Sequence, residues 1–336
     1  MGRYKFLERA FGQYKTIVLA DEIEGNEFEI ALQGATPISY KINLNGKSFN
    51  ILDGYASPEE MKAARGARCW IMMPFANRIP GGRYSVNGHE FKLDPVPPRT
   101  DIIHGFTSYE TFSVSNVFIS ENSIEVALSY NKIRPGKFNG YPFALDLEVK
   151  YKLQPEKLSI QISAENAGTG RAPFSTGWHP YFKTSDNGIE SLIFTLNADG
   201  IILLDDKNIP LPQGAAYGRV DNFPDLDFRA GVPEERRRIN GSVLDNCFSD
   251  LLIEDDGFSR ASIQDKENGL KITLFQKGGV TLAFSGDSLA QRKRNSVAIE
   301  PMQFITNAFN RSELIEKVFI MPGEKSIFEF GVEISK

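Results

Sequence analysis

The sequence predicts an all-β fold, a large antiparallel β-sandwich of two packed sheets with few short helices. Apolar runs of strand length recur from one end of the chain to the other. Asparagine–glycine pairs at Asn45-Gly46 and Asn87-Gly88 lie inside such runs, and this dipeptide suits the left-handed conformations of a type I′ hairpin turn. Long helical periodicity is scarce, which argues against the alternating strands and helices of a parallel α/β fold.

The predicted strands follow one another along the chain, and a turn at residues 154–157 joins two of them into one long hairpin. In order, the predicted strand regions are residues 38–52, 70–75, 84–91, 111–119, 123–130, 143–153, 158–164, 191–196, 200–204, 269–276, 280–285, 296–302 and 326–334.

Helices are expected at only two places. Residues 58–65 predict a short helix with Ser57 as its N-cap and acidic residues in its first turn. Residues 287–292 predict one further helical turn. Residues 205–242, rich in proline, glycine and charge, predict a long surface excursion. Because no repeat and no clear boundary interrupts the chain, we expect a single domain spanning residues 1–336.

Composition excludes several classes of partner. The chain has 336 residues, 41% of them hydrophobic and 24% charged, and a net charge of −5. Lysine and arginine are scattered, so no basic footprint for nucleic acid is present. No apolar run approaches the roughly 18 residues that span a bilayer, and the N-terminal residues lack the apolar core of a signal peptide. We therefore expect no membrane partner and a cytoplasmic location.

The two cysteines, Cys69 and Cys247, are far apart in sequence and lie in apolar contexts. Nothing in their surroundings demands a disulfide, and two lone thiols suit a reducing compartment. They lack the close cysteine and histidine spacing of zinc sites. No glycine-rich loop that would cradle a phosphate is found. The sequence therefore predicts neither a metal nor any other cofactor.

One carboxylate stands out because of its position. Glu300 lies near the end of the apolar run 296–302, which predicts a buried strand. Burying an ionised carboxylate is costly unless it is paired or hydrogen-bonded. Glu300 therefore has either a partner or a chemical role. Pro301 follows it directly, so an edge strand with Glu300 facing water is an equally open alternative.

Polar residues cluster where other predicted strands end. Asn77 and Arg78 follow the apolar run 70–75, His104 enters a glycine turn, and Asp245 lies inside an apolar run. His179 lies among aromatic residues and before a proline, which favours an extended backbone. These residue types supply donors and acceptors for sugar hydroxyls plus a titratable pair. The aromatic residues near His179 that offer a face for a sugar ring are Trp178, Tyr181 and Phe182.

Each residue taken singly has a simpler structural interpretation. A histidine in an aromatic turn is more often a structural hydrogen-bonding group than a catalyst, and His104 beside Gly105 suits a turn cap. Arg78 suits an ion pair at a strand end, and Asp245 suits a turn cap. His89, which follows the Asn87-Gly88 turn, is expected to be exposed and without a role. The functional interpretation gains weight only if the clusters belong to one arrangement.

The clusters do follow a known order. In chain order the clusters are Asn77-Arg78-Ile79 with Gly82 and Gly88, then His104-Gly105, then Gly177-Trp178-His179-Pro180-Tyr181-Phe182, then Asp245, then Glu300-Pro301 with Asn307-Ala308-Phe309-Asn310. This ordered set resembles the aldose 1-epimerase (galactose mutarotase) family. The resemblance spans roughly residues 70 to 310 and implies a β-supersandwich, in agreement with the strand pattern.

The resemblance also implies residue roles. Glu300 corresponds to the general base of the family, His179 to its general acid and His104 to a second pocket histidine. Arg78 and Asp245 correspond to residues that hold sugar hydroxyls. The implied reaction removes the proton of the C1 hydroxyl while the ring oxygen is protonated, so that the ring opens and recloses on its other face. This chemistry needs no cofactor.

Two departures from the family pattern bear on the substrate. Phe106 follows His104-Gly105 where a second glycine is common, and Trp178 precedes His179; both are expected to reshape the pocket wall. The implied partner is a small-molecule sugar, and a homodimer is one of the assemblies left open. The alternatives are a hexose-phosphate mutarotase, a non-catalytic carbohydrate-binding or sensing protein on the same fold and, by fold analogy alone, a polysaccharide lyase.

Overall fold

A computed structural model of the chain describes residues 2–97 and 101–336. Within these residues, the regular structure consists of 25 strands, two short α-helices and nine 3₁₀ helices. The first twelve strands are β1 Tyr4–Phe11, β2 Tyr14–Asp21, β3 Asn26–Ala31, β4 Thr36–Leu44, β5 Lys47–Asn50, β6 Ile71–Met72, β7 Arg83–Val86, β8 His89–Lys92, β9 Ser113–Ile119, β10 Ile124–Ile133, β11 Leu145–Leu153 and β12 Lys157–Asn166. The remaining strands are β13 Ala172–Pro173, β14 Gly177–Trp178, β15 Tyr181–Phe182, β16 Ile193–Leu196, β17 Ala198–Ile202, β18 Tyr217–Arg219, β19 Asp245–Leu251, β20 Ser259–Gln264, β21 Lys271–Gln276, β22 Val280–Phe284, β23 Val297–Met302, β24 Phe319–Ile320 and β25 Lys325–Ser335.

Two eight-stranded sheets dominate the architecture. The back sheet has the strand order β16-β20-β21-β25-β12-β11-β10-β9. The front sheet has the order β18-β17-β19-β22-β23-β14-β6, and β15 also pairs with β23. Strands β1 to β5 form a further sheet in sequence order, and two-stranded pairs β7–β8 and β13–β24 complete the set. The prediction of a large antiparallel sandwich is confirmed.

The two large sheets share one core. Along β11 every second residue is buried, from Leu145 to Leu153, while the residues between them are polar and half-exposed. This alternation directs one face of the back sheet inwards. Trp178 of β14 stacks on Phe330 of β25, with ring centroids 5.9 Å apart, and so links the front sheet to the back sheet. Burying such rings contributes strongly to the hydrophobic stabilisation of the sandwich.

The predicted turns and helices have mixed outcomes. Asn45 and Gly46 both have positive φ and join β4 to β5, as expected. The helix α1 (Pro58–Lys62) forms with Ser57 as its N-cap, since the Ser57 hydroxyl accepts from the Glu60 amide at 3.2 Å. The second α-helix, α2, spans Ile315–Val318.

The helical turn predicted at residues 287–292 is wrong, because this segment forms only a turn and bends. Its polar side chains form hydrogen bonds and ion pairs with residues outside the segment. Asp287 accepts hydrogen bonds from the Ser285 hydroxyl and from Arg294 Nη1, the latter at 3.1 Å. Arg292 reaches back to Asp53 and Glu60. Residues 205–242 form mainly short 3₁₀ turns and the strand β18, in agreement with the expected surface excursion.

No helix within the described part of the chain is long and apolar enough to cross a membrane.

Candidate functional site

The position of Glu300 follows from the alternation of β23. Val297 and Ile299 point into the core between the two large sheets, whereas Met302 belongs to a separate apolar cluster on the other face of the front sheet. Glu300 shares the parity of Met302 and lies on this outer face. It is nevertheless only 2% exposed, because the strands and loops around it cover that face.

The alternative of an edge strand is wrong, since β23 lies between β22 and the strands β14 and β15. Pro301 is tolerated there because β23 changes partner at this point. On that side it pairs with β15 through Val297 and Ala298, and with β14 through Met302. The missing N–H of Pro301 therefore breaks no ladder hydrogen bond.

His179 lies in the connection between β14 and β15. Its amide donates to the Trp70 carbonyl and its carbonyl accepts from the Cys69 amide, both at 2.9 Å. The strand that leads to it comes very close to its neighbour, because a Cβ at Gly177 would lie 2.6 Å from the Pro301 carbonyl oxygen. Only glycine permits this approach, which brings the segment of His179 against the segment of Glu300.

Glu300 and His179 are in direct contact. His179 Nε2 lies 3.3 Å from Glu300 Oε1, and their side chains are 8% and 2% exposed. The second oxygen of Glu300, Oε2, is buried and has no hydrogen-bond partner among the described residues. An unmatched carboxylate oxygen at a buried position is costly to keep, so it marks a place where a ligand donor fits.

An aromatic and ionic stack supports the His179 ring. The Tyr181 ring stacks on it with centroids 4.9 Å apart, and the Arg68 guanidinium lies over the same Tyr181 ring at 4.7 Å. Tyr181 donates its hydroxyl hydrogen to the Gly66 carbonyl at 2.9 Å. Arg68 is in turn fixed by Asp53, whose carboxylate accepts from it at 2.8 Å. These contacts hold the imidazole in one orientation.

His104 is held by an unusual backbone conformation. His104 and Gly105 both have positive φ, at 61° and 72°, and a Cβ at Gly105 would lie 1.9 Å from the Met73 carbonyl oxygen. His104 Nδ1 accepts a hydrogen bond from the Asn77 amide at 3.3 Å, which assigns the ring hydrogen to Nε2. The ring meets that of His179 edge-on, with centroids 5.1 Å apart. His104 therefore offers a neutral N–H donor.

Contacts between Asn77 and Arg78 fix the Arg78 side chain at the site. Asn77 has a φ of 57°, and its side-chain oxygen accepts from the Arg78 amide at 2.9 Å and from Arg78 Nη1 at 3.3 Å. The Arg78 carbonyl accepts from the Asn307 amide at 3.0 Å. The guanidinium of Arg78 is thereby oriented before any substrate arrives, while its remaining N–H groups stay available.

The electrostatics of the site favour a strong base. Burial, followed by the negative charge of Asp245, raises the pKa of Glu300 well above its ordinary value, and the positive charge of Arg78 opposes this rise. Asp245, at the first residue of β19, is exposed at the mouth of the site. The surrounding protein still raises the pKa of Asp245, again against the effect of Arg78.

A cavity of about 110 Å³ joins these residues. Six of the seven residues predicted for a sugar site line it, namely Asn77, Arg78, His104, His179, Asp245 and Glu300. The structure adds Ile103, Leu282, Phe284 and Ser288, which were not predicted. Leu282 is paired in register with Glu300, and Phe284 with Asp245, so strand pairing brings both to the cavity, and the sequence pattern of β22 alone carried no signal for them. The cavity thus combines one apolar wall with a ring of polar groups.

The expectation that Trp178 contacts the substrate is wrong. Trp178 is 0% exposed and packs in the core against Phe182 and Phe330, and its indole N–H donates to the Cys69 carbonyl at 3.1 Å. Its neighbour in sequence, His179, faces the cavity because successive strand residues point to opposite faces. Phe106 likewise stacks on Phe138, with centroids 3.9 Å apart, and does not line the cavity.

No cluster of three or more histidine, cysteine, aspartate or glutamate side chains suited to a metal occurs among residues 2–97 and 101–336. Cys69 and Cys247 are both buried and unpaired with each other. Cys247 lies on the strand next to Leu282 and close to the cavity, and burial, with Glu300 adding to the effect, raises the pKa of this thiol. A thiol with a raised pKa is a poor nucleophile.

Another cleft, of about 400 Å³, lies on the outer face of the back sheet around Phe275. Several of its polar side chains already have partners. Lys157 pairs with Glu333 at 2.9 Å and lies over the Phe275 ring, while Glu329 accepts from the Gln161 amide at 2.8 Å. It contains no buried acid and base in contact, unlike the cavity at Glu300.

Comparisons with known proteins bear on the family and the fold of the chain. The family model of aldose 1-epimerases matches residues 15–331. The uncharacterized protein YihR of Escherichia coli is 27% identical over 256 residues, which cover 75% of this chain and 74% of that protein. The galactose mutarotase of Mus musculus is 26% identical over 169 residues, 49% of this chain and 47% of that protein. Among solved structures, the galactose 1-epimerase of Lactobacillus acidophilus NCFM superposes with a TM-score of 0.79 at 18% identity, covering 100% of this chain and 99% of that one.

Proposed function

The chain belongs to the aldose 1-epimerase family, and on that premise we propose that it interconverts the α and β anomers of an aldose with Glu300 and His179 as its acid–base pair. The observation that carries the proposal is the 3.3 Å contact between Glu300 Oε1 and His179 Nε2 in a cavity lined with polar groups. The chain matches about half of the length of the mouse galactose mutarotase.

The contact suits the geometry of the reaction. Mutarotation needs a base at the C1 hydroxyl and an acid at the ring oxygen, and both oxygen atoms are bonded to the same carbon. The acid and the base must therefore be neighbours, which distinguishes this chemistry from glycoside hydrolysis, where two carboxylates lie on opposite sides of a bond. Glu300 and His179 have the required closeness.

The proposed reaction returns every group to its starting state. Glu300 takes the proton of the C1 hydroxyl, the bond between C1 and the ring oxygen breaks, and His179 gives its proton to that oxygen. The C1–C2 bond of the open aldehyde then rotates. On closure His179 recovers the proton from the attacking hydroxyl, and Glu300 returns its proton to the new C1 hydroxyl. No redox step and no cofactor enters.

The raised pKa of Glu300 supports its assignment as the base. A general base is most effective when its pKa lies near the working pH, because a carboxylate of ordinary pKa is a weak proton acceptor. Burial raises the pKa of Glu300, and the positive charge of Arg78 opposes this rise. His179, stacked on Tyr181, faces the same cavity and is the acid within reach.

The remaining polar residues are assigned to substrate binding. Arg78, His104, Asn77 and Asp245 line the cavity together with the pair. The guanidinium and the His104 Nε2–H provide donors, and the Asp245 carboxylate provides acceptors for adjacent hydroxyls. Phe284 is the aromatic side chain of the cavity and takes the place that the sequence had assigned to Trp178.

The test is the rate of anomer interconversion for purified protein with a panel of fresh α-aldoses, followed by polarimetry and by NMR exchange. We expect at least one aldose to interconvert faster than in buffer. If no aldose does so, the proposal is wrong. A sugar that binds in calorimetry without any acceleration would instead identify a carbohydrate-binding protein on this fold.

A further inference from the structure

The loop between β22 and β23, residues 286–295, contributes one side chain to the cavity wall. Ser288 of this loop is exposed and lines the cavity together with Glu300. Among the described residues that line the cavity, Ser288 alone carries a hydroxyl. A hydroxyl both donates and accepts hydrogen bonds, so it suits contact with the hydroxyl of a sugar. Such a contact is effective only if the loop is held in place.

Arg292 anchors this loop to a sheltered group of charges. Its Nη1 donates to the Asp53 carboxylate and, at 3.0 Å, to the Gly54 carbonyl, and its Nη2 donates to the Glu60 carboxylate. The side chains of Asp53 and Glu60 are only 6% and 11% exposed. Hydrogen bonds between ionised groups are the stronger kind, and pairs that are sheltered from water are little screened by salt. The contact therefore fixes the loop more firmly than a surface ion pair would.

The carboxylate of Asp53 also holds the base of the stack at His179. Arg68 Nη1 donates to this carboxylate at 2.8 Å and to the Asp53 carbonyl at 2.9 Å, and the Asp53 amide donates to the Tyr181 carbonyl at 2.9 Å. The Arg68 guanidinium lies over the Tyr181 ring, which stacks on the His179 imidazole. A continuous chain of contacts therefore joins Arg292 to His179.

A second contact joins the loop to the same stack. Leu289 of the loop packs on Gly66, since a Cβ at Gly66 would lie 3.2 Å from Leu289 Cδ2. The Gly66 carbonyl accepts from the Tyr181 hydroxyl at 2.9 Å. A displacement of the loop would therefore disturb both attachments of the stack.

We propose that Arg292 is a positioning residue, which holds two parts of the site at once. It fixes the Ser288 hydroxyl at the cavity wall, and it acts on the His179 ring through Asp53. Arg292 itself does not line the cavity, so it acts only through the residues that it holds. The inference rests on the proposed function, because Ser288 and His179 are here assigned to substrate binding and to proton transfer.

The first test is kinetic, with the aldose that wild type accelerates most. Arg292→Gln should lower kcat by about tenfold and raise KM by about threefold to tenfold, because both parts of the site lose their fixed position. Arg292→Lys keeps the charge and should recover part of kcat, although an ammonium lacks the fork of the guanidinium. Arg294→Gln is the matched control in the same loop. Arg294 pairs with Glu190 and Asp287 and does not touch Asp53, so kcat should stay as in wild type.

Double variants separate the two routes. Ser288→Ala alone should raise KM by about threefold to tenfold and leave kcat unchanged. Arg292→Gln should raise KM hardly further when Ser288→Ala is already present, because the anchored hydroxyl is gone. It should likewise lower kcat hardly further when Tyr181→Leu is present. Effects that multiply in both pairs, or an equal loss of kcat in Arg294→Gln, would overturn the proposal.

NMR of the imidazole rings tests the route to His179 without turnover. The chain has three histidines, and the exposed His89 serves as an internal reference. The His179 signals, assigned with His179→Gln, should shift and broaden in Arg292→Gln, whereas Arg294→Gln should match wild type. If Arg292→Gln does not fold, Arg292→Lys takes its place, with the same direction of change.

The two measurements distinguish the failure of the positioning role from the failure of the proposed function. Unchanged His179 signals would overturn the positioning role even in a protein that accelerates an aldose. If wild type accelerates no aldose while the His179 signals still respond to Arg292→Gln, the proposed function is wrong, but the positioning of His179 by Arg292 stands.

Discussion

His179 Nε2 lies 3.3 Å from Glu300 Oε1, and the two side chains are 8% and 2% exposed. The contact joins the connection between β14 and β15 to the middle of the front sheet, so it depends on the tertiary fold and not on sequence proximity. It places a carboxylate and an imidazole side by side in surroundings with little water. In such surroundings the charges of Asp245 and Arg78 act strongly on Glu300.

These charges predict opposite shifts of the acidic limb of the pH profile. Activity should be lost as pH falls through the pKa of Glu300, so the acidic limb of kcat/KM should lie well above the ordinary range of a glutamate. Asp245→Asn removes a charge that raises the pKa of Glu300 and should move this limb to lower pH. Arg78→Gln removes a charge that lowers it and should move the limb to higher pH.

Both variants are also expected to reduce the rate, since both side chains line the cavity. The position of the limb, measured from kcat/KM between pH 4 and pH 9, is therefore the informative quantity. Shifts of both variants in the same direction would contradict the electrostatic account.

The buried carboxylate also predicts a gain of stability on its removal. Because the pKa of Glu300 is raised in the folded state, the folded protein holds its proton to higher pH than the unfolded chain does. The free energy of unfolding therefore falls as pH rises from the ordinary glutamate pKa towards the folded one. Glu300→Gln has no proton to release at this position, so it avoids this fall in the free energy of unfolding. It should therefore be more stable than wild type at pH 7 by at least about 1 kcal/mol.

The check is urea unfolding of wild type and Glu300→Gln at several pH values between 4 and 8. The difference in the free energy of unfolding between Glu300→Gln and wild type should grow as pH rises. Glu121→Gln, the same change at an exposed site, should behave as wild type. A Glu300→Gln protein that is less stable than wild type throughout would show that Glu300 is retained for structure.

Trp178 should act on stability and not on the substrate. Its ring is stacked on Phe330 in the core and is 0% exposed. Trp178→Phe should lower the free energy of unfolding by about 1–3 kcal/mol through the volume it removes. The KM for the sugar should stay as in wild type, as measured by initial rates at several concentrations. A large rise in KM with unchanged stability would restore Trp178 to the substrate site.

Tyr181 is expected to position His179. Tyr181→Leu removes the ring that stacks on the His179 imidazole and lies under the Arg68 guanidinium. It should lower kcat by about tenfold or more with little change in KM, because the imidazole loses its fixed orientation. Tyr181→Phe keeps the ring and loses only the hydrogen bond to the Gly66 carbonyl, so it should retain most of kcat. Equal loss of kcat in both variants would assign the effect to the hydroxyl instead of the stack.

The fold was largely predictable because strand alternation and turn residues are local signals. Asn45-Gly46 and Asn87-Gly88 marked two hairpins that the structure contains. The strands β1, β2 and β3 were not predicted. In β1 only Tyr4 is buried and no alternation of buried and exposed residues is present, so its pairing with β2 decides its conformation more than its own pattern does.

The candidate site was predictable where a residue type is unusual for its position, as with Glu300 in an apolar strand. The site was not predictable where the role of a residue depends on the face of the sheet to which its side chain points. Trp178 and His179 are adjacent, and only the register of β14 shows that the first enters the core and the second the cavity. Leu282 and Phe284 look like ordinary strand residues, and only their pairing with Glu300 and Asp245 brings them to the cavity wall.

The most direct test is the rate of anomer interconversion by NMR exchange for wild type, Glu300→Gln and the exposed control Glu121→Gln, with the aldose that wild type accelerates most. Loss of a general base should lower kcat by about a hundredfold to ten-thousandfold in Glu300→Gln. Glu121→Gln should match wild type, and all three proteins should have the same fold by circular dichroism. A Glu300→Gln protein that keeps the wild-type rate would contradict the assignment of Glu300 as the base.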